Sequence, residues 1–598
     1  MSLSTSPDPW SELGDLPAKI NMASFLVERA NATPDALAIR VAKTIEMPGA
    51  ELRCEFDDTT FAELARESGE LATGLTWAGI QRGARVCLFV RPGVQLIALV
   101  FGLLRIGAVP VLIDPGMGPK NVLSCVKRMQ PDAFIGIPLA HVMRRLRPRA
   151  FRSVKIDVVA SGKGSRAIAR LTRARHIDDV MADGRGKNAA LLETSRDDDA
   201  AILFTSGSTG PPKGVVYTHG MFEAQVRALK ALYGIEPGEI DVACLPVFAL
   251  FGPALGMTSI FPELDPSKPA DCDPAKLACA IKASGATTTF GSPAIWRRVV
   301  PHCLEHGIKM PSLRRVLIAG APVPTDLIRD FHKVLGDHAE VHTPFGATES
   351  LPVSSAAGRE LVAAGPDSIQ TRSETGSGTC IGRLAPGIEL RLIAVTDDDL
   401  ETWGAATEIP IHAGAQSALG ELVVRGPVVT REYKFEAAGT RAAKIAVDPQ
   451  AAQDRGEVWH RIGDVGYVDK NGLIWFSGRK SHRLETEAGM VMPVPIENVF
   501  NTSTKVARSA LVGLGESGPE TQVLIVQPEP GHEPSPQLAA ELFAHVANAP
   551  AASEVAAILF HKSFPVDVRH NAKIHRGDLR SWAASQPASA RFPRATQA

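Results

Sequence analysis

The residues with the clearest chemical potential lie in one short run, Thr205-Ser-Gly-Ser-Thr-Gly-Pro-Pro-Lys213. Gly207 and Gly210 let backbone N–H groups turn toward one centre without a Cβ penalty. The hydroxyls of Ser206, Ser208 and Thr209 add donors, and Lys213 adds a mobile positive charge. That combination suits a polyphosphate. The spacing is not that of a Walker A loop, which needs G-x-x-x-x-G-K-[ST]. A second glycine-serine run, Ser161–Ser165, lacks the upstream glycine and reads as an ordinary surface turn.

A loop of this kind must be presented by something rigid. The apolar run Ala200–Phe204 reads as a buried strand feeding directly into it. Further strand-like runs at Val86–Val90, Val316–Ile318, Glu421–Val424 and Ala510–Val512 alternate with helical periodicity. The pattern predicts an α/β architecture with largely parallel sheets. Leu96–Ile113 is the most membrane-like stretch, but Arg105 and Pro110 interrupt it. It reads as a helix, a turn and a buried strand at Val109–Ile113 rather than a membrane span. Two segments read as irregular: Ala356–Gly378, rich in small residues, and Thr486–Pro495. The tail after Ser585 reads as frayed.

Composition bounds the function. The 598 residues are 45% hydrophobic and 22% charged, ordinary for a globular chain and wrong for wholesale disorder. Lys and Arg number 64 against 65 Asp and Glu, for a net charge of −1. That balance gives no general attraction to nucleic acid. Eight scattered cysteines without C-x-x-C pairs fit a reducing compartment. The polar, acidic N-terminus has no signal-peptide pattern, so the expected location is the cytoplasm. One local bias stands out. Arg144–Arg175 holds eleven Arg or Lys and a single acid, Asp157. It reads as a solvated face, or as a patch for an anionic membrane surface or a protein partner.

The run TSGSTGPPKG at 205–214 resembles the phosphate loop of the adenylate-forming superfamily, which includes acyl-CoA synthetases, luciferases and peptide-synthetase adenylation domains. Other landmarks follow in that family's order. GLLRIGAVPVLIDPG at 102–116 resembles its early structural motif, and GELVVRGPVVTREY at 420–433 a strand-rich structural signature. The resemblance implies a large N-terminal adenylate-forming domain over 1–478, with two parallel-rich sheets and a small β-subdomain. It also implies a small α+β lid domain over 479–598 that turns on a hinge near Ser481.

Site roles follow by the same resemblance. Thr205–Gly210 and Lys213 hold the phosphates of ATP. Gly320, Ala321 and Pro322, within Ala319–Val323, line the adenine. In Thr343–Glu349, Phe345 stacks near the base beside Gly346 and Ala347, Thr348 meets the α-phosphate and Glu349 binds Mg²⁺. Asp464 and Arg479 hold the ribose. Lys573, in FPVDVRHNAKI at 564–574, is the catalytic lysine, with Glu349 and Thr205 as its partners in catalysis. An acyl channel is expected at Phe248, Ala249, Phe251, Gly252, Gly291, Ser292 and Trp296. The implied cofactors are ATP and Mg²⁺, and the implied partner is a long-chain carboxylic acid.

The chain departs from acyl-CoA synthetases where those enzymes handle CoA. Ser481 stands two residues after the hinge arginine in place of Asp or Lys. Glu485 replaces a common lysine, Gly489 comes one position late, and Ala249 replaces a histidine. The combination, with FALFGPALGMTS at 248–259 and GRKSHRLET at 478–486, is similar to the β-lactone synthetases of olefin biosynthesis. That likeness implies activation of a 2-alkyl-3-hydroxy fatty acid without CoA and a complex with other olefin-pathway enzymes; peripheral membrane contact is an expectation from the basic segment Arg144–Arg175 alone. The alternative is a long-chain acyl-CoA or acyl-AMP ligase.

Overall fold

A computed structural model describes residues 10–47, 52–187, 190–204, 211–450, 456–515, 518–566 and 574–594. Two large sheets dominate. The first has seven strands in the order Arg175–His176, Ile156–Val159, Ala133–Gly136, Arg85–Phe89, Val109–Leu112, Asp199–Phe204, Gly214–Thr218. All neighbours are parallel except the last pair, which is antiparallel. Helices cover both faces, so the central strands read as continuous apolar runs. The stretch that looked membrane-like is the helix Val94–Arg105 followed by the strand Val109–Leu112.

The second sheet is longer and changes character halfway. Leu37–Glu46, Thr258–Phe261, Ile240–Ala243, Thr288–Gly291, Arg315–Ile318 and Glu340–Ala347 are neighbours in parallel. From Ser350–Ala357 onward the pairing is antiparallel, through Thr379–Leu384, Ile474–Arg479, Val458–Val468, Gly420–Arg425 and Glu389–Ile393. The expectation of largely parallel sheets therefore holds for half of this sheet. Antiparallel neighbours need no right-handed crossover, so strands distant in sequence, such as Thr379–Leu384 and Ile474–Arg479, pair directly here.

A third sheet pairs Val506–Leu514, Thr521–Pro528, Ala557–Phe560 and Phe592–Pro593. It carries its own apolar cores, built on Leu511, Leu524 and Leu542 on one side and Val512, Ile525 and Leu579 on the other. The Arg576 guanidinium clamps Glu497, joining two of its helices. It meets the rest through the helix Pro493–Phe500, whose Asn498 Nδ2 donates to Ser373 Oγ at 3.0 Å and Thr379 Oγ1 at 3.2 Å.

Three expectations of irregularity are corrected. Ala356–Gly378 contains short helices at Gly358–Leu361 and Ile369–Arg372 and a π turn at Ser373–Ser377. Thr486–Pro495 is mostly a hairpin, Leu484–Thr486 on Gly489–Val491, followed by the helix from Pro493. Beyond Ser585, Phe592 and Pro593 pair with the strand Ala557–Phe560. In each case tertiary contacts order a composition that has little local preference. No helix among the described residues is long and apolar enough to cross a membrane.

Candidate active site

The site forms where the two large sheets are stitched together by the segment Val429–Glu436. Val215 bridges Tyr433 on one side and Ser350 bridges Val429 on the other. Lys434 N donates to Gly214 O at 2.8 Å. Ion pairs of Arg431 with Asp197 at 2.9 Å and of Lys434 with Asp199 at 2.8 Å pin the segment to the first sheet, as does Arg128 with Glu436. Arg128 also donates to Pro212 O at 2.8 Å, fixing the exit of the loop that follows Phe204.

The loop spans the antiparallel pair in which Phe204 faces Gly214. Thr205, Ser206, Gly207, Ser208, Thr209 and Gly210 lie outside the described residues, as does Lys573. Lys213 is described. Its ammonium sits 4.7 Å from the centre of the Tyr433 ring, against Gly439.

Glu349 stands at the turn after Glu340–Ala347. A register shift between Phe345 and Ala347 marks a bulge at Gly346, where a Cβ would come within 2.8 Å of Ser350 O. Only glycine fits that approach, and the bulge re-aims Thr348 and Glu349. Glu349 Oε1 accepts from Tyr433 Oη at 2.6 Å, and its backbone carbonyl accepts from Thr430 N at 2.9 Å. Tyr217 Oη donates to Thr348 O. Burial, then the Glu349 carboxylate, pushes both tyrosine hydroxyls up and keeps them neutral donors.

Behind them lies Lys444, buried, donating to Thr430 Oγ1 at 3.0 Å. Burial lowers its pKa to about 7; Glu349 opposes the fall and Lys213 adds to it. His460, also buried, is held neutral by burial and by Lys444, Arg479 and Lys213 nearby. Lys213 and Lys444 thus lie close to each other near Glu349, an excess of positive charge suited to a polyanion.

Asp464 and Arg479 face each other on neighbouring strands, with Nε to Oδ1 at 3.0 Å. Arg479 also donates to Ile462 O at 2.8 Å. Asp464 is buried and Arg479 half-exposed, so the carboxylate is fixed and the guanidinium borders the cleft.

Three adjacent parallel strands end on the same edge, the usual place for a ligand crevice in such sheets. Arg315–Ile318 leads to Gly320, in the left-handed region at φ +91°, then half-buried Ala321 and exposed Pro322. Ile240–Ala243 leads to Phe248, Ala249, Phe251 and Gly252, and Thr288–Gly291 leads to Ser292. Phe248 stacks 4.1 Å from Phe290 and 6.4 Å from Phe251, and Ala249 is wholly buried. Phe251 also borders a small apolar cavity with Phe222, Leu250, Val100 and Leu104.

Trp296 lies apart. It belongs to the second sheet's other core, edge-on to Phe331, and its indole backs Gly291, where a Cβ would meet Nε1 at 2.7 Å. Trp296 Nε1 and Ser292 Oγ are buried with no hydrogen-bond partner among the described residues. Phe345 packs toward Phe476, with ring centres 6.4 Å apart.

Ser481, the expected hinge, is exposed within a single 3-10 turn, while Lys480 donates to Thr396 O at 2.8 Å. Glu485 pairs with Arg483 at 2.8 Å, and Arg483 is anchored to Asp397. Gly489, at φ +107°, makes the turn of the hairpin that follows.

Sequence reasoning missed Tyr433, Tyr217, Lys444, Thr430 and Arg128. Tyr433 and Thr430 fell in a run read as structural. Lys444 carries no motif; a lysine within the apolar strand Lys444–Ala446 was the only signal.

The fold is that of adenylate-forming enzymes. The amide bond synthetase McbA of Marinactinospora thermotolerans superposes with a TM-score of 0.72 at 21% identity, over 94% of this chain and 99% of that one. The chain belongs to the AMP-binding enzyme family, whose model matches residues 26–434. Among curated relatives, the olefin beta-lactone synthetase of Xanthomonas campestris is 41% identical across 96% of this chain and 99% of its own length. A long-chain-fatty-acid–CoA ligase of Thermus thermophilus is 24% identical across 81% of this chain and 83% of its own. The chain is thus an adenylate-forming ligase, a class that activates carboxylic acids with ATP.

Proposed function

We propose that the protein activates a long-chain 2-alkyl-3-hydroxy acid with ATP and closes it to a β-lactone, releasing AMP and pyrophosphate. The observation that carries this reading is the 41% identity to an olefin beta-lactone synthetase over nearly the full length of both chains.

In the first step a carboxylate oxygen attacks the α-phosphorus and pyrophosphate leaves with the bonding pair. Two anions must meet, so the protein's work is charge neutralisation and positioning. Lys213 and the Thr205–Gly210 loop take the phosphates, Thr348 the α-phosphate, and Asp464 and Arg479 the ribose. Phe345, Gly346, Ala347 and Gly320–Pro322 border the base. Tyr433 fixes one oxygen of Glu349, leaving the other for Mg²⁺. No cluster of three or more His, Cys, Asp or Glu that could hold a metal occurs among the described residues. Glu349, with one oxygen left free by Tyr433, is the residue that would hold Mg²⁺, a hard cation that takes oxygen ligands. When bound, Mg²⁺ supplies charge neutralisation for the phosphates.

Lys573 lies on residues 479–598, which we assign as a mobile domain hinged near Ser481, apart from 1–478. It neutralises the charge shared by carboxylate and phosphate. In the second step the 3-hydroxyl oxygen attacks the acyl-AMP carbonyl carbon. The carbonyl–phosphate C–O bond breaks and AMP leaves. The hydroxyl proton passes to the departing phosphate. The nucleophile arrives attached, so no CoA is needed. The Glu485–Arg483 pair, an acid at the place of a lysine, disfavours that polyanion. The Ser292 hydroxyl, at the end of the strand Thr288–Gly291 and without a hydrogen-bond partner among the described residues, is the polar group we assign to the acid, while Trp296 only backs Gly291 from the neighbouring core. The cytoplasm and a complex with enzymes handling the hydroxy acid and the lactone complete the proposal.

The test supplies ATP and a long-chain 3-hydroxy acid with and without CoA. AMP and β-lactone independent of CoA support the reading. Acyl-CoA as the main product when both are present replaces it with the ligase alternative.

A further inference from the structure

The two helices Pro138–Leu146 and Ser165–Thr172 lie side by side at the edge of the first sheet farthest from the phosphate loop. Arg145 Nη2 donates to Leu171 O at 3.3 Å and joins their C-terminal ends. On the first helix, Leu139, Val142 and Leu146 follow at i, i+3 and i+7, forming one stripe, while Ala140 and His141 are buried beneath. Leu139 is 72% exposed and Leu146 and Leu171 are each 70% exposed. These are the three most exposed large hydrophobic side chains among the described residues.

Cations ring the leucines. Arg145, Arg147, Arg149, Arg152, Arg170 and Arg173 have no carboxylate within ion-pair distance among the described residues. The one acid of the segment, Asp157, is taken by Arg144 at 2.8 Å. A solvated face has no use for three leucines in water, and the chain's net charge of −1 makes this local excess of positive charge a departure from the whole.

We propose that this face docks the protein on an anionic lipid surface. The leucines enter the interface between headgroups and acyl chains, and the arginines meet the lipid phosphates. Anionic lipid fits because it offers apolar depth to the exposed leucines and dense negative charge to the arginines around them. The docking does not depend on the lactone reading, although a bilayer is also where a long-chain acid would be met.

The test is co-sedimentation of the full-length protein with vesicles of phosphatidylcholine alone or with about one-third phosphatidylglycerol, without substrate or ATP. Binding is expected to the anionic vesicles, lost in 1 M salt, where the Debye length falls to about 3 Å. Arg147→Glu with Arg149→Glu should lower the partition coefficient by about 30-fold or more. Leu146→Gln with Leu171→Gln should lower it by about 10-fold at low salt. All four positions are exposed, so unchanged thermal melting is expected and separates docking from folding. No binding to anionic vesicles, or variants that bind like the wild type, would overturn the proposal. A dimer in solution that the leucine variants split would reassign the face to a second copy. Because no turnover is measured, the lactone assay and this one fail independently.

Discussion

The polar wall around Glu349 and Asp464, proposed to take the nucleotide side, and the apolar wall around Phe248, proposed to take the acyl side, are built in different ways. On the nucleotide side each named group is held by directed bonds. Glu349 is fixed by Tyr433 and Thr430, Asp464 by Arg479, and the loop exit by Arg128. On the acyl side Phe248, Ala249, Phe251 and Phe290 touch through rings and methyls alone. Directed bonds demand one residue type at one place. Apolar packing tolerates many solutions of equal volume. The polar wall should therefore fail sharply under small changes, and the apolar wall should shift its preference gradually.

The largest effect is expected at Lys573, assigned to the charge at the reacting centre. Lys573→Ala should slow acyl-AMP formation by on the order of 10²–10³, the usual cost of one positioned charge. Pyrophosphate release at the wild-type rate would remove the lysine from the first step. Next comes Asp464→Ala, which leaves Arg479 without its carboxylate. AMP affinity should fall by about 10–100-fold, with the acyl-chain preference unchanged. Calorimetry showing equal affinity would break the contrast on its polar side.

The same contrast explains what the sequence disclosed. The strands at 199–204, 315–318 and 420–425 were legible because their apolar runs are long and bounded. The motifs around Glu349, Asp464 and Arg479 stood out in the sequence because directed chemistry restricts residue type. Tyr433, Thr430 and Lys444 were not, because their roles depend on the segment 429–436 crossing between two sheets, a juxtaposition that no local pattern encodes. The strand-rich β-subdomain was expected, but its antiparallel pairing with the long sheet was not read, because short alternating strands give the same signal whatever they pair with. Trp296 sits in a different core from Phe248 although both follow strands of one sheet, since register rather than spacing decides which face a side chain takes.

Lys444 sharpens the polar side through pH. Its pKa, lowered by burial to about 7 from 10.5, means that the native state sheds a proton which the unfolded chain keeps over that interval. Stability contributed by this group therefore rises with pH between 7 and 10.5, and the penalty is complete below 7. Lys444→Met should melt above the wild type by about 2–4 °C at pH 6, a gain that disappears toward pH 10. A bound polyphosphate should return the proton. Nucleotide binding at pH 8 should thus take up a proton in the wild type but not in Lys444→Met, measured by calorimetry in buffers of different ionisation enthalpy. Equal proton uptake in both would detach Lys444 from the site.

The apolar side is tested by Ala249→Leu. The wholly buried methyl becomes an isobutyl group beside Phe248. If the channel passes here, the preferred acid should shorten by about three carbons, with ~0.8 kcal/mol lost for each CH₂ excluded. AMP affinity should not move. An unchanged chain-length profile would take Ala249 out of the channel.

The smallest effect isolates how tightly the polar wall fits. Gly439 lies in the helix Ala437–Ala443, where a Cβ would stand 3.2 Å from Lys213 Cε and 3.3 Å from its Nζ. No positive φ requires a glycine there, so Gly439→Ala should gain helix stability of about 0.5–1 kcal/mol. The cost falls on Lys213, whose ammonium must move a few tenths of an ångström along the Tyr433 ring, away from the place where the phosphates are expected. A point charge on a flexible stem yields at little expense, so ATP binding should weaken by only about two- to threefold while melting temperature rises. AMP, which lacks the β- and γ-phosphates, should bind as before. If ATP and AMP weaken together, Lys213 does not serve the distal phosphates. If neither changes, its position at Tyr433 is not the one used in binding.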